Sequence, residues 1–200
     1  MFSLDTSVSV HEHQFHQQLT FVQNVISFFD VGESSVHVAV QTFGTDVYNE
    51  IGLDDYYNKD ALMSHVGSVE YRGGGTNTAL AILRAREALL EEHREHVPRL
   101  NIVVTDGLSL DAEQTAWEAS VSKSRGIVMI AVGVGLGHDR NELLQIASFR
   151  ANLIQKTGFY ETQGLDEKLT FHVDDYKMLI NFGKLLSSTM CQGKINVYSM

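Results

Sequence analysis

Leu100-Asn101-Ile102-Val103-Val104-Thr105 and Ile127-Val128-Met129-Ile130-Ala131-Val132-Gly133-Val134 are the stretches on which the fold turns. Both are nearly continuous apolar runs. A strand with one face in water alternates, so unbroken runs predict strands covered by helices on both faces. Between them, residues 111–124 read as a helix with an acidic first turn.

The same alternation extends in both directions. Upstream, Phe15, Leu19, Val22, Ile26 and Phe29 fall at steps of four and three, one face of a long helix. Residues 2–4 are a strand stub. Residues 36–43 alternate as a strand, and 46–53 form its hairpin partner across Gly44-Thr45. Residues 60–66 and 78–93 read as helices, the second with Ala79, Ile82, Leu83, Leu89 and Leu90 on one face. Downstream come a short helix over 139–149, a strand over 168–173 and a final helix over 174–189, with Asp174-Asp175 at its N-cap. Strands alternating with helices predict an α/β fold: a doubly wound, mostly parallel sheet with one antiparallel edge strand and helices on both faces. The single proline and short connectors indicate one domain over residues 1–200.

Bulk properties narrow the function. A chain of 200 residues buries about 70% of its unfolded surface, and 44% hydrophobic content is ordinary for a globule. The formal net charge of −10, with acids scattered, argues against a nucleic-acid surface, which needs a basic stripe. No apolar run approaches the ~20 residues of a membrane helix, so no membrane insertion is expected. Met1-Phe2-Ser3-Leu4 runs straight into the first motif with no signal peptide, and Cys191 is the sole cysteine.

Three segments carry chemistry: Asp5-Thr6-Ser7-Val8-Ser9, Gly73-Gly74-Gly75-Thr76-Asn77-Thr78 and Thr105-Asp106-Gly107. In open α/β sheets, ligands bind outside the carboxyl ends of the strands. Asp5 and Asp106 end two different strands at that rim, and the glycines let the loop between approach closely. The candidate ligands are all oxygen: carboxylates Asp5 and Asp106, hydroxyls Ser7, Ser9 and Thr76. That set suits a hard cation, Mg²⁺ first, with Mn²⁺ or Ca²⁺ as alternatives. Two carboxylates only balance its charge, so a position is left for one more anion, a Glu or Asp from a partner. The bland alternative has the hydroxyls capping helices, Ser9 among them, and the acids making turns.

These residues resemble a known family. Asp5-Thr6-Ser7-Val8-Ser9 matches the Asp-x-Ser-x-Ser signature of von Willebrand factor type A domains, whose metal-ion-dependent adhesion site also needs a Thr and a second Asp. Gly74-Gly75-Thr76-Asn77-Thr78 and Val104-Thr105-Asp106-Gly107 look like the segments that supply them, and Ala131-Val132-Gly133-Val134-Gly135 resembles the family's fifth strand and its exit. The resemblance implies direct metal contacts from Ser7 and Ser9, and a direct or water-mediated contact from Thr76. It implies that Asp5 and Asp106 hold the metal's waters. It further implies a secreted, extracellular adhesion or matrix-organising module, binding collagen or another matrix protein, with no enzymatic activity. Family members begin with a longer first strand, so the N-terminal strand reads as truncated. Cys191 stands where matrix-type members carry a second cysteine, and its partner would precede this sequence.

Other signals are weaker. His11, His13 and His16, and the pair His93 and His96, match no zinc spacing and read as solvated helix ends. Gly133-Val134-Gly135-Leu136-Gly137 lacks nucleotide-loop spacing, and Gly73-Gly74-Gly75-Thr76 lacks the lysine of a phosphate loop. Trp117 reads as partly buried packing, and Tyr56-Tyr57 as a pair near the metal face. A competing function is an acidic structural or mineral-associated matrix protein that binds through overall charge. A metal-dependent hydrolase lacks any paired nucleophile and base.

Overall fold

The computed structural model describes residues 1–91, 94, 96–149 and 168–179. Six strands form one sheet in the order β3-β2-β1-β4-β5-β6. They are β1 Phe2–Asp5, β2 Val40–Phe43, β3 Val47–Ile51, β4 Arg99–Thr105, β5 Ile127–Val134 and β6 Thr170–Val173. All neighbouring pairs are parallel except β2 with β3, the hairpin at the edge. The helices are α1 Glu12–Ser27, α2 Lys59–Val66, α3 Thr78–Glu91, α4 Ala112–Ser124 and α5 Arg140–Ile146. The α/β, mostly parallel architecture expected from the sequence is the one observed.

Every residue of β5 is buried, as its unbroken apolar run requires. The two faces of β1 divide the layers. Phe2 meets Phe21 of α1 edge-on, with ring centroids 6.2 Å apart. On the opposite face, Ser3 donates to Asn101 Oδ1 at 2.8 Å, and Gln41 Nε2 donates to Ser3 Oγ at 2.8 Å and to Ala81 O of α3 at 2.6 Å. This buried polar chain ties β2, β1 and β4 to α3, although Asn101 Nδ2 finds no partner among the described residues. Along α1 the predicted positions Phe15, Leu19, Val22 and Ile26 are all buried. Truncating one of these to alanine is expected to cost about 2–5 kcal/mol. Helices α3 and α4 are joined by Arg86 and Glu118, paired at 2.7 Å with both side chains nearly buried.

Several expectations need correction. The strand predicted over 36–43 is regular only from Val40; Val36 instead makes an isolated bridge with Val31. Leu90, placed on the buried face of α3, is exposed, and Ala81 and Ala85 take the core positions. Small residues there let α3 approach the sheet closely. Trp117 is 64% exposed rather than packed. Tyr56-Tyr57 lies at the wrong end of the sheet for the metal face. Ile51 pairs with Val40, so antiparallel β3 leaves from the end opposite Asp5 and Phe43. There Tyr57 packs on His37 and Tyr56 on His65, at ring separations of 5.1 and 5.3 Å. Of the final helix predicted over 174–189, residues 174–179 are described: 176–179 are helical, and Asp175 Oδ1 accepts from Lys177 N at 2.9 Å. His93 and Cys191 lie outside the described residues.

Candidate metal centre

Strand order reverses around β1. The chain steps from β1 to β2 on one side, then returns to place β4 on the other. The carboxyl ends of β1 and β4 are therefore neighbours at a topological switch point, where such sheets bind ligands. Leu4 pairs with Val104, so the residues that follow, Asp5 and Thr105, emerge side by side.

Asp5 is fully buried. Its Oδ1 accepts from Ser7 N at 2.8 Å and its Oδ2 from Thr105 Oγ1 at 2.7 Å, while its backbone carbonyl accepts from Gln18 Nε2 of α1 at 2.8 Å. Both carboxylate oxygens thus hold neighbouring loops in place. Ser7 Oγ lies 2.9 Å from Ser9 Oγ, and Ser9 Oγ donates to Asp106 Oδ1 at 2.7 Å. Four of the five candidate ligands are therefore linked in a continuous chain. Ser9 spends its hydroxyl here and does not cap α1; His11 is the N-cap, and its N–H donates to Gln14 Oε1 at 2.8 Å.

Thr76 reaches the rim through its backbone. Its carbonyl accepts from Leu110 N at 2.9 Å, fixing the glycine loop against the exit of β4. Gly75 N donates to Thr45 Oγ1 at 2.9 Å, and Gly74 O accepts from Val8 N at 3.0 Å. Gly73 and Gly74 hold φ of 73° and 106°, which side chains resist. From the other side Gly137 lies so close that a Cβ there would sit 2.4 Å from Asp106 O.

Electrostatics follow from this packing. Burial raises the Asp5 carboxyl from 3.8 to about 6; hydrogen bonds from Ser7 and Thr105 oppose the shift, and the Asp106 charge adds to it. Two carboxylates confined at one buried rim favour a cation between them. The donor set fits one. Adjacent oxygens on a magnesium octahedron with bonds of about 2.1 Å stand about 3.0 Å apart, close to the 2.9 Å between the Ser7 and Ser9 hydroxyls. That separation serves equally as a hydrogen bond and as an octahedron edge, and Asp106 Oδ1, 2.7 Å from Ser9 Oγ, stands beside it where it would hold a water. Among the described residues no three His, Cys, Asp or Glu side chains converge, so the set depends on hydroxyls. His11 and His13 stack on each other, with ring centroids 5.9 Å apart.

Two residues here were not singled out from sequence. Thr105 stood in the third motif without a role of its own, yet it anchors Asp5. Tyr176 is 3% exposed, and its hydroxyl finds no hydrogen-bond partner of good geometry among the described residues. Burial first, then the charges of Asp106 and Asp5, push its phenol pKa up, so its hydroxyl lies within their field. Tyr176, Ser9 and Asp106 share the wall of a cavity of about 420 Å³ with His13, Leu136 and Lys177. No signal in the sequence marks a lone tyrosine in a helix turn.

Comparison with known proteins agrees with this architecture. The family description "von Willebrand factor type A domain" matches residues 1–168. Matrilin-3 from Homo sapiens is 32% identical over 177 residues, covering 85% of this chain and 35% of matrilin-3. The collagen alpha-1(XII) chain of Notophthalmus viridescens is 29% identical over 195 residues, covering 94% of this chain and 19% of that one. The chain thus spans about a third or less of these relatives. Proximal thread matrix protein 1 from the mussel byssus, solved with a zinc-occupied MIDAS motif, superposes with a TM-score of 0.78 at 21% identity, over 95% of this chain and 47% of that one. By the extent of the family match, the chain belongs to the von Willebrand factor type A domain family.

Proposed function

We propose that this domain is a non-enzymatic, metal-dependent binding module of an extracellular matrix protein, attaching to an acidic side chain of a protein partner. The observation that carries it is the run of short oxygen contacts from Ser7 through Ser9 to Asp106 at the switch point. Ser7 and Ser9 would hold the cation directly, and Thr76 would do so directly or through water. Asp5 and Asp106 would hold its waters, since both Asp5 oxygens are already engaged by Ser7 N and Thr105 Oγ1. When bound, a divalent cation (Mg²⁺ first, with Mn²⁺ or Ca²⁺ as alternatives) supplies positive charge with a coordination position open to a partner's Glu or Asp.

The matrilin and collagen names of the relatives support a matrix setting, with collagen or another matrix protein as partner. The hydroxyls are engaged with each other and with a carboxylate rather than an imidazole, which favours binding over nucleophilic catalysis. The test is capture on immobilised matrix proteins, collagen included, with and without EDTA, for the native domain and for Asp106→Ala and Thr76→Ala. Binding that vanishes in EDTA and in both variants supports the reading. Undiminished binding in all of them defeats the metal bridge. Binding that depends on ionic strength alone points to contact through the −10 surface instead.

A further inference from the structure

Five large apolar side chains among the described residues are at least 60% exposed: Leu136 at 94%, Val8 at 73%, Leu110 at 66%, Trp117 at 64% and Leu108 at 60%. Four of the five stand at the rim of the candidate metal centre; only Trp117, on α4, does not. Val8 lies between Ser7 and Ser9 and donates its N–H to Gly74 O. Leu110 donates its N–H to Thr76 O, and its Cδ1 lies 3.4 Å from where a Gly75 Cβ would sit. Leu108 follows Asp106 by two residues. Leu136 shares the 420 Å³ cavity with Ser9 and Asp106. Thr6, the other spacer in Asp5-Thr6-Ser7-Val8-Ser9, is buried, so the outward aliphatic is a feature of the rim and not of the whole loop.

We propose that these four aliphatics form an apolar collar that selects a partner segment whose metal-binding acid stands between apolar side chains. The proposal rests on the metal-bridge reading and adds the chemistry of the partner's flanks. Contiguous exposed apolar surface beside a polar centre is a mark of interaction sites. A carboxylate meeting a cation in open water competes with that water. Aliphatic neighbours that close around the contact exclude it and strengthen the attraction by lowering the local dielectric. Charge excludes one class of flank. The chain carries a net −10, and exposed Asp174 and Asp175 edge the cavity, so one acid with apolar neighbours is accepted where a run of acids is repelled.

The test uses the full chain with Mn²⁺ and four blocked pentapeptides, read by fluorescence anisotropy or NMR titration. Three carry a central Glu flanked by Leu, by Ser or by Lys; the fourth carries Gln between Leu residues. The expected result is at least tenfold tighter binding of the Leu-flanked Glu peptide than of the Ser-flanked one. In Val8→Ser/Leu110→Ser that advantage should fall below threefold with Mn²⁺ affinity unchanged. Equal binding of the Leu- and Ser-flanked peptides, or tightest binding with Lys flanks, overturns the collar and leaves the metal bridge standing. An undiminished advantage in the double variant also overturns it. Binding of the Gln peptide as tightly as its Glu counterpart, or no binding of any Glu peptide, brings down the metal bridge and the collar together.

Discussion

The two sides of the metal rim are built differently. On the side of β1 and β4, the candidate ligands are tied to one another and to their loops: Asp5 is held by Ser7 N and Thr105 Oγ1, and Ser9 by Asp106. On the side of β5 and β6, polar atoms are left over. Among the described residues, Tyr176 Oη and His138 Nδ1 are buried without hydrogen-bond partners of good geometry. His138 Nε2 faces His172 Nδ1 at 3.0 Å, and Asp174 Oδ1 accepts from His172 Nε2 at 3.2 Å. Burial first, then the neighbouring His172, lower the His138 pKa and so disfavour the charged form of His138. A fixed ligand cradle thus stands beside a wall that has hydrogen-bonding capacity to spare. Rigid ligands set metal affinity, and the loosely satisfied wall has room to respond to what binds.

The largest expected effect tests the fixed side. Asp106→Ala should weaken Mn²⁺ binding at least 100-fold by calorimetry, because the cradle loses its only half-exposed carboxylate. Retained affinity would show that Asp106 serves only to orient Ser9.

Asp5 gives a pH signature on the same side. Its folded pKa of about 6 stands above the unfolded 3.8. The stabilisation from its proton is therefore complete below pH 3.8 and lost as pH rises through about 6. At neutral pH the metal-free domain should have lost about 3 kcal/mol on this account. Thermal unfolding from pH 4 to 7 should show the loss in the native domain but not in Asp5→Asn. Mg²⁺ should restore the native domain at pH 7 and do little below pH 5. Parallel curves for the two proteins would mean that Asp5 titrates normally.

Thr105→Val removes the hydroxyl that holds Asp5 Oδ2 while keeping the side chain's shape. Metal affinity should fall about tenfold, and stability by about 1–3 kcal/mol as a buried carboxylate oxygen loses its donor.

The smallest stability effect belongs to the adaptable side. Tyr176→Phe removes a buried hydroxyl that faces Asp106 without a hydrogen bond of good geometry among the described residues, so the metal-free domain should change by no more than about 1 kcal/mol in urea unfolding. A loss larger than that would show that the hydroxyl is bound after all, and that the two sides are equally satisfied.

Much of the fold was legible because its signals are local. The unbroken runs over β4 and β5 announce double burial, and the four-three spacing of Phe15, Leu19, Val22 and Ile26 announces one helix face. The errors came where the outcome depends on what packs opposite. Leu90 carries the hydropathy of a core residue, but the close approach of α3 gave that role to Ala81 and Ala85. Tyr56-Tyr57 precedes the glycine loop in sequence, and nothing local reveals that β3 carries it to the far end.

The candidate site divides in the same way. Sequence named Asp5, Ser7, Ser9, Thr76 and Asp106 because their chemistry sits in short motifs at strand ends. It gave no role to Thr105 within its motif and passed over Tyr176, whose importance lies in whom they meet: Thr105 across the β1–β4 boundary, Tyr176 from a helix turn about 70 residues beyond Asp106.

By itself, then, the sequence determined the order of strands and helices over most of the described residues, the α/β class and the oxygen chemistry of the rim, all of which follow from the order of side chains along a few turns or strands. Only the tertiary structure decided which strands are neighbours, which carboxylate is buried deeply enough to hold its proton to about pH 6, and which aliphatics are left facing water. Burial and electric field depend on distances between segments far apart in the chain, and those distances exist only once the sheet has closed around them.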